Sequence, residues 1–448
     1  MLATCFGLAF TIATPPLDPA DEVHHLARIF ALSEGHISPA GPSQGHRHEI
    51  PRSLNQLHPP YWFKHRDGRI DRTRRPGAQI VCIHDVDDVL ASLRTPLLTE
   101  ERVAIRRPST YGPLPYLPQA LAVRIGRQLG GTAGALLYAA RLSTLAVWIA
   151  LVWLALRITP AKPWTLMVLS LSPMSLFQSS VISADAVTNA LALLLLALAL
   201  NAALSDRTRV PRSVVAGLVA VTAALGWLKQ GYWLLGALLL LIPMARFRNR
   251  TQWGAAIGVA AVAMAALSWS WVRWLRVAQG VDGATTGLGD MLASFSEMGP
   301  WLSTLSGFAY RLLAQLVGIL GHLDVVLPRW IYSVYPVAAI AVALIERDPP
   351  GLSIVRRLVL VSIALGAAFS VLALLYSISP DPRTATPGMI QGRYFIPMLP
   401  VLFVAIPGFG RLPRVWGPAA VTGFCAFVLA VATYTTASHY FVGTPPAN

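Results

Sequence analysis

Apolar positions along this chain gather into long blocks, not the short alternations of a water-soluble domain. Nearly uncharged runs occupy Thr132–Leu156, Trp164–Ile182, Ala186–Leu204, Val214–Trp227, Trp233–Ala245, Trp253–Trp274, Trp330–Ile345, Leu358–Ser377, Tyr394–Phe409 and Val415–Thr436. A stretch of about 20 apolar residues crosses a hydrocarbon layer about 30 Å thick. Together with the N-terminal "LATCFGLAFTIAT" these runs predict an all-α polytopic membrane protein of about eleven transmembrane helices. Several runs are short, which predicts helices that break or end in a polar cavity.

The segment 15–131 has a different texture. Helical periodicity in "ADEVHHLARIFALSEG", "VDDVLASLR" and "LPQALAVRIGRQLG" is separated by Pro- and Gly-rich turns. Its length is too great for a connector, so a helical extracytoplasmic loop on the membrane surface is expected. The expected order is a first helix over 1–14, that loop, helices 2–7 over 132–275, an outer loop with a surface or re-entrant segment over 276–328, helices 8–11 over 329–436, and an outer tail over 437–448. The first helix is shortened, or begins upstream of Met1; it lacks the positive flank of a signal peptide. No internal repeat suggests an inverted-repeat transporter.

Composition agrees: 54% of the 448 residues are hydrophobic and 13% are charged, against about 25% charged in soluble domains. The net charge of +15 is assigned to loops beside a membrane and not to nucleic acid. Cys5, Cys82 and Cys425 have no CxxC spacing, so neither a disulfide framework nor a thiolate metal site is indicated.

Charge placement orients the chain. With the long first loop outside, alternate loops hold Arg157, Lys162, Arg207, Arg209, Arg212, Arg246, Arg248, Arg250, Arg347, Arg356, Arg357, Arg411 and Arg414. The short outer connections hold only Lys229, Arg276, Arg311, Arg329, Arg383 and Arg393. This is the asymmetry of the positive-inside rule, and it predicts a multi-pass protein of a bacterial inner (cytoplasmic) membrane.

Ionisable residues at or beside the bilayer mark functional sites by default, and here they converge on the outer face. Asp21, Glu22 and His25 follow the first helix; Asp185 opens the fourth; Lys229 closes the fifth; Asp324 sits in "GILGHLDVVLPRWIY"; Gln391, Arg393 and Tyr394 open the tenth. Read as a helix, Asp21, His25, Arg28 and Leu32 form one stripe. A carboxylate beside an imidazole suits proton abstraction; Asp21, Glu22 and His25 are equally candidates for a divalent cation. They do not form the HExxH pattern. "HDVDD" at His84–Asp88 lacks calcium-loop spacing and reads as a solvated helix start. Tyr111 and Tyr116 of "YGPLPY" are candidates for stacking on sugar rings or for anchoring at the interface.

"DEVHHLARIFALSEGHI" resembles the "DEPxHFyRAyqlseG" signature of the bacterial predicted membrane proteins of domain-of-unknown-function family 2142. The likeness continues through "STYGPLPYLPQALAVRIGR", "YAARL", "LSPMSLFQSSVISADAVTNALALLLLAL", "LKQGYWLL", "GILGHLDVVLP" and "QGRYFIPMLPVL", in order. Departures are Val23 for a proline, the extra His24, Leu26 for an aromatic, Ala184 within Ser-Pro-Asp, and the short N-terminus. The layout is similar to the C-type glycosyltransferase superfamily, with many helices, a long first outer loop opening on acidic residues, and a sugar donor linked to lipid phosphate.

That resemblance implies transfer from a polyprenyl-phosphate-linked sugar in the membrane to an envelope glycan or lipid-linked acceptor on the extracytoplasmic face. Asp21 or Glu22 would be the base, His25 its orienter or a metal ligand, and Lys229 or Arg393 the phosphate partner, with inversion at the anomeric carbon. Arg28, Tyr111, Tyr116, Asp185, Asp324, Gln391 and Tyr394 complete the expected substrate contacts. The alternatives are a transporter or flippase of lipid-linked saccharide, and a non-catalytic component of envelope-polysaccharide assembly.

Overall fold

The computed structural model describes residues 1–38, 47–58, 62–64, 70–71, 79–81, 84–106, 111–205, 208–278, 307–377, 390–410 and 417–442. The expected segment within 276–328 lies partly outside these residues, as do Cys82, Arg207, Arg383, Arg411 and Arg414.

The chain is mostly helical. Helix α1 (Leu2–Ala13) is followed by a surface unit: α2 (Glu22–Ser33), β1 (Arg47–Pro51), the single turn α3 (Arg52–Asn55), β2 (Trp62–Lys64), β3 (Ile70–Asp71), β4 (Gln79–Val81), α4 (Val86–Leu93), β5 (Arg102–Arg106) and α5 (Leu117–Gln128). The three helical stretches read from the loop sequence are α2, α4 and α5. The strands were not foreseen. β1 pairs antiparallel with β5, placing Ile50 opposite Val103, and β2 lies between β3 and β4. Val103 and Ile105, two apart on β5 with the small Ala104 between them and Arg102 and Arg106 outside, pack on the core of this unit.

The membrane helices then follow: α6 (Ala133–Ile158), α7 (Pro163–Ser170), α8 (Pro173–Ser180), α9 (Asp185–Leu204), α10 (Arg212–Ala224), a 3-10 stretch (Trp233–Leu241) and α11 (Arg250–Ala278). After these come α12 (Ala309–Val317), a hairpin β6 (Ile319–Leu320) and β7 (Val325–Val326), α13 (Arg329–Ile345), α14 (Ile354–Ser377), a 3-10 turn (Gly392–Met398), α15 (Leu399–Ala405) and α16 (Gly417–Phe441). Among the described residues five helices, α6, α9, α11, α14 and α16, are long and apolar enough to cross a membrane. α1, α10 with its 3-10 extension, α13, and the 3-10 turn with α15 are shorter and apolar.

The expected run Trp164–Ile182 breaks in two. Pro173 has no N–H to continue α7, and the Ser172 side chain accepts from Ser175 N at the new N-terminus. Runs 233–245 and 394–409 likewise wind partly as 3-10 helix, the second around Pro397.

α9 is the axis of the bundle. Its candidate span is 83% buried, against 11% for that of α11. The reason is compositional: "ALALLLLALALNAAL" is apolar all round, and such a helix needs neighbours on every side. The surface unit has its own core, where Leu26, Ile29, Phe30, Ile50 and Leu54 meet Leu136, Leu137 and Ala140 of α6 and Ile182 and Ala184 before α9. It is therefore docked on the bundle at the end where α9 begins.

At the other end of α9, Lys162 is buried and donates to the carbonyl of Ala343, with Asp348 3.2 Å away. Glu346 accepts from Trp164 N, Thr165 N and the Thr165 hydroxyl. The acid sits at the positive end of α7 and satisfies donors that no helix bond reaches.

Candidate functional site

The site forms where five separated segments meet. The turn after α1 puts Asp21 ahead of α2 in the left-handed region (φ 64°), with its side chain unused as a cap. Its carboxylate is 55% exposed and stands 3.6 Å from Arg393 Nη2. Asp185, in the first turn of α9, is buried. Its Oδ1 receives Lys229 Nζ at 2.6 Å, its Oδ2 receives Gln178 Nε2 at 2.8 Å, and Arg393 Nε lies 3.9 Å away. Asn189, one turn further along α9, donates to Gln178 Oε1.

Aromatic rings wall this charge. The Lys229 ammonium sits 4.7 Å from the Tyr111 ring centre and 4.4 Å from that of Tyr394, and Arg393 lies 5.8 Å from the Tyr394 ring. Cations over aromatic faces are held without losing their donors. Gly112 makes the Tyr111 approach possible, since a Cβ there would lie 2.1 Å from the carbonyl of Trp227. Tyr232 donates its hydroxyl to the Tyr394 carbonyl, tying the two cationic segments together.

Arg393 is the least satisfied of these groups. Its Nε is buried and has no hydrogen-bond partner among the described residues, and the same holds for Gln391 Oε1 and Gln230 Nε2. Orphaned buried polar atoms are uncommon in folded proteins. Three of them on the two cationic segments leave hydrogen-bonding capacity for a ligand that is anionic or rich in hydroxyls.

His25 completes the inner wall. Its Nδ1 lies 2.7 Å from the Tyr116 hydroxyl, and its ring stacks on Tyr111 at 6.2 Å. Burial pushes the imidazole down to about 4, with Asp21 and Asp185 pulling it up and Lys229 and Arg393 pulling it down. His25 is thus neutral near pH 7, and Tyr116 fixes its ring.

Other expected site residues take different roles. Glu22 is fully buried. It accepts Arg141 Nε at 2.8 Å and Nη2 at 2.6 Å, with further bonds from Leu17 N and Ile182 N. A carboxylate held by that many donors has no lone pair directed at a substrate proton, so Glu22 is a tie between α2, α6 and the turn before α9. Arg28 donates to the carbonyls of His36, Ile37 and Ser38 and lies 5.2 Å from the Trp271 ring, so it closes α2 and does not face the site. Tyr116 is fully buried and cannot stack on a sugar. Asp324 turns away into the β6–β7 hairpin, where His322 N donates to it and His439 is 3.2 Å distant.

No group of three or more His, Cys, Asp or Glu side chains among the described residues is placed to hold a metal ion. Asp21, Glu22 and His25 do not converge because Glu22 is committed to Arg141. Arg141 and Gln178 were missed by the sequence reading. Arg141 carried a signal, being a charge inside an apolar run that demands a buried partner.

Residues 5–402 match the family described as predicted membrane protein (DUF2142). Among curated proteins no sequence matches. Among solved structures the chain is similar to the Archaeoglobus fulgidus oligosaccharyltransferase in complex with Zn and sulfate, at 12% identity and a TM-score of 0.38, over 98% of this chain and 53% of that one. The chain spans about half the length of that structure.

Proposed function

Because the chain belongs to the DUF2142 family of multi-pass predicted membrane proteins, whose description fixes a membrane and no chemistry, we propose from its own residues that it is a glycosyltransferase. It transfers a sugar from a polyprenyl-phosphate donor to a glycan or lipid-linked acceptor at the extracytoplasmic face of a bacterial inner membrane. One observation carries this reading: a partly buried Arg393 side chain stands between Asp21 and Asp185, its buried Nε without a hydrogen-bond partner among the described residues, beside the Lys229 ammonium.

Arg393 and Lys229 take the donor phosphate, in charge-assisted bonds of the strong kind. Asp185, itself braced by the Gln178 amide, holds Lys229 in place, so that cation is positioned before the ligand arrives. Asp21, the half-open carboxylate on the far side of Arg393, takes the proton from the acceptor hydroxyl. The hydroxyl oxygen bonds to the anomeric carbon as the carbon–oxygen bond to phosphate breaks. The electron pair leaves with the phosphate, whose growing charge Arg393 and Lys229 stabilise. Attack opposite the leaving group inverts the anomeric centre. His25 stays neutral and shapes the wall near Asp21.

The test uses the purified protein in lipid nanodiscs with polyprenyl-phosphate sugars and candidate acceptors. Wild type transfers sugar, Asp21→Asn loses at least a hundredfold in rate, and Lys229→Met raises the donor KM. Absence of transfer with every donor, or full activity in Asp21→Asn, overturns the proposal. Transport of lipid-linked saccharide without transfer favours a flippase.

A further inference from the structure

Asp21 also lines a cavity of about 380 Å3, which Arg393 does not line, and whose polar walls among the described residues are Asp18, Asp21, Glu22, His24, Asn55, His58 and His322. Its size falls within the range of small-molecule sites, about 300 to 1,000 Å3. Asp18 organises one wall: it is buried, His58 Nε2 is 3.0 Å from Oδ1, and His84 Nε2 bonds to Oδ2. His84 N also donates to the Tyr440 carbonyl, which fastens this wall to the end of α16. The opposite rim comes from the β6–β7 hairpin, whose Gly321 carbonyl accepts from Ala20 N.

The charge here is the reverse of that around Arg393. Burial pushes the Asp18 carboxyl up, but the hydrogen bonds of His58 and His84 outweigh it and hold it below the usual carboxylate range, so it is ionised. Asp18, Asp21 and Glu22 all line the cavity, and among the described residues no lysine or arginine does. The positive end of α2 is already offset by Asp18, Asp21 and Glu22. A phosphate entering this space meets the carboxylates of Asp18 and Asp21, with Glu22 behind them held by Arg141, and no lysine or arginine among the described residues. A neutral ligand rich in hydroxyls finds carboxylate, amide and imidazole edges, which both accept and donate.

We propose that this cavity is the acceptor subsite and takes a neutral saccharide, with Asp21 as the wall it shares with the phosphate-binding side. The two ligands are thereby sorted by charge about one carboxylate. The assignment rests on the glycosyltransferase reading for the word acceptor, but the binding of a neutral saccharide can be measured without any reaction.

The experiment is therefore one of binding, in two independent arms on full-length protein in nanodiscs. In the first, methyl glycosides of glucose, galactose, mannose and N-acetylglucosamine are screened by saturation-transfer NMR against wild type, Asn55→Leu and His322→Leu, with His322→Gln as the conservative control. At least one glycoside binds wild type, both leucine variants weaken it tenfold or more, and His322→Gln retains most of it, while thermal unfolding is unchanged in all three. In the second, binding of undecaprenyl phosphate is measured in the same variants and is unaltered by either substitution. No glycoside bound by wild type, or binding that both leucine variants leave intact, overturns the subsite. Loss of undecaprenyl-phosphate binding in the leucine variants overturns the charge sorting. Failure of wild type to bind undecaprenyl phosphate instead sinks the glycosyltransferase reading and leaves the saccharide result to be judged alone.

Discussion

Glu22 accepts its hydrogen bonds at zero exposure while Asp21, one residue earlier, stands more than half open, so removing each carboxylate is expected to fail differently. Glu22→Leu strands the Arg141 guanidinium in an apolar interior, and breaking one side of such a pair costs about 3–5 kcal/mol. Thermal unfolding in nanodiscs should show that loss, and Glu22→Leu with Arg141→Leu should recover part of it. Asp21→Asn should leave the unfolding temperature unchanged and abolish transfer. Asparagine is the apt replacement because Asp21 has φ 64°, a conformation asparagine tolerates and alanine does not. Histidine gives the pH dependence. Burial holds His25 and His48 at about 4, so both are folded in the neutral form. As pH falls through 6.5 the unfolded chain takes up these protons first, and stability drops until about pH 4, below which the loss is complete. The shift corresponds to on the order of 3 kcal/mol for each ring. Asp18 acts only below this window, since its lowered value loses stability further into acid. Unfolding midpoints measured from pH 7.5 to 4.5 should fall steadily, and less steeply in His25→Gln and in His48→Gln; a flat profile in wild type would contradict this account.

Among elements, the loop "YGPLPY" has little freedom. Gly112 rests against the Trp227 backbone, and a methyl group there meets a carbonyl that cannot move without shifting the Lys229 segment. Gly112→Ala should therefore weaken polyprenyl-phosphate binding tenfold or more through displaced Tyr111 and Lys229, with the surface unit still folded. Unchanged binding would mean that the cation is positioned by Asp185 alone. The elements also show what a sequence can disclose. Helices α2, α4 and α5 were legible from period and punctuation, and the convergence of Asp21, Asp185, Lys229 and Arg393 was legible from counting charges on alternate loops. The strands β1 and β5 were not: two branched apolar residues spaced by two in "RVAIR" are a weak signal beside long helical blocks. The break at Pro173 lay inside the full-length run Trp164–Ile182 and the one at Pro397 showed only as a short run, because which helix end faces a cavity depends on partners distant in sequence. Glu22 was misassigned for the same reason. Its partner Arg141 is 119 residues away, and nothing local tells a committed carboxylate from a reactive one.

Across the whole molecule, α9 sets the scale. Its 20 residues extend about 30 Å, the thickness of the hydrocarbon layer, and it separates two ionic clusters of different make. At its start the cluster around Asp185 contains unpartnered donors and opens toward Asp21. At the opposite end Lys162, Glu346, Asp348 and Arg357 are closed on one another and on backbone groups. The first cluster, with the half-open Asp21 carboxylate at its edge, suits a ligand site on one membrane face. The proposed function puts that face on the extracytoplasmic side, as the positive-inside asymmetry predicts, and single cysteines test it directly. In a background with Cys5, Cys82 and Cys425 changed to serine, Asn55→Cys lies on the surface unit and Asn249→Cys just before α11, both exposed. A membrane-impermeant maleimide applied to intact spheroplasts should label Asn55→Cys at once and Asn249→Cys only after permeabilisation. The reverse pattern would place Arg393 and Asp21 on the cytoplasmic side, where the donor phosphate would have to be presented from the opposite leaflet. The internal geometry of the site would survive that result, but its acceptor could no longer be an envelope glycan.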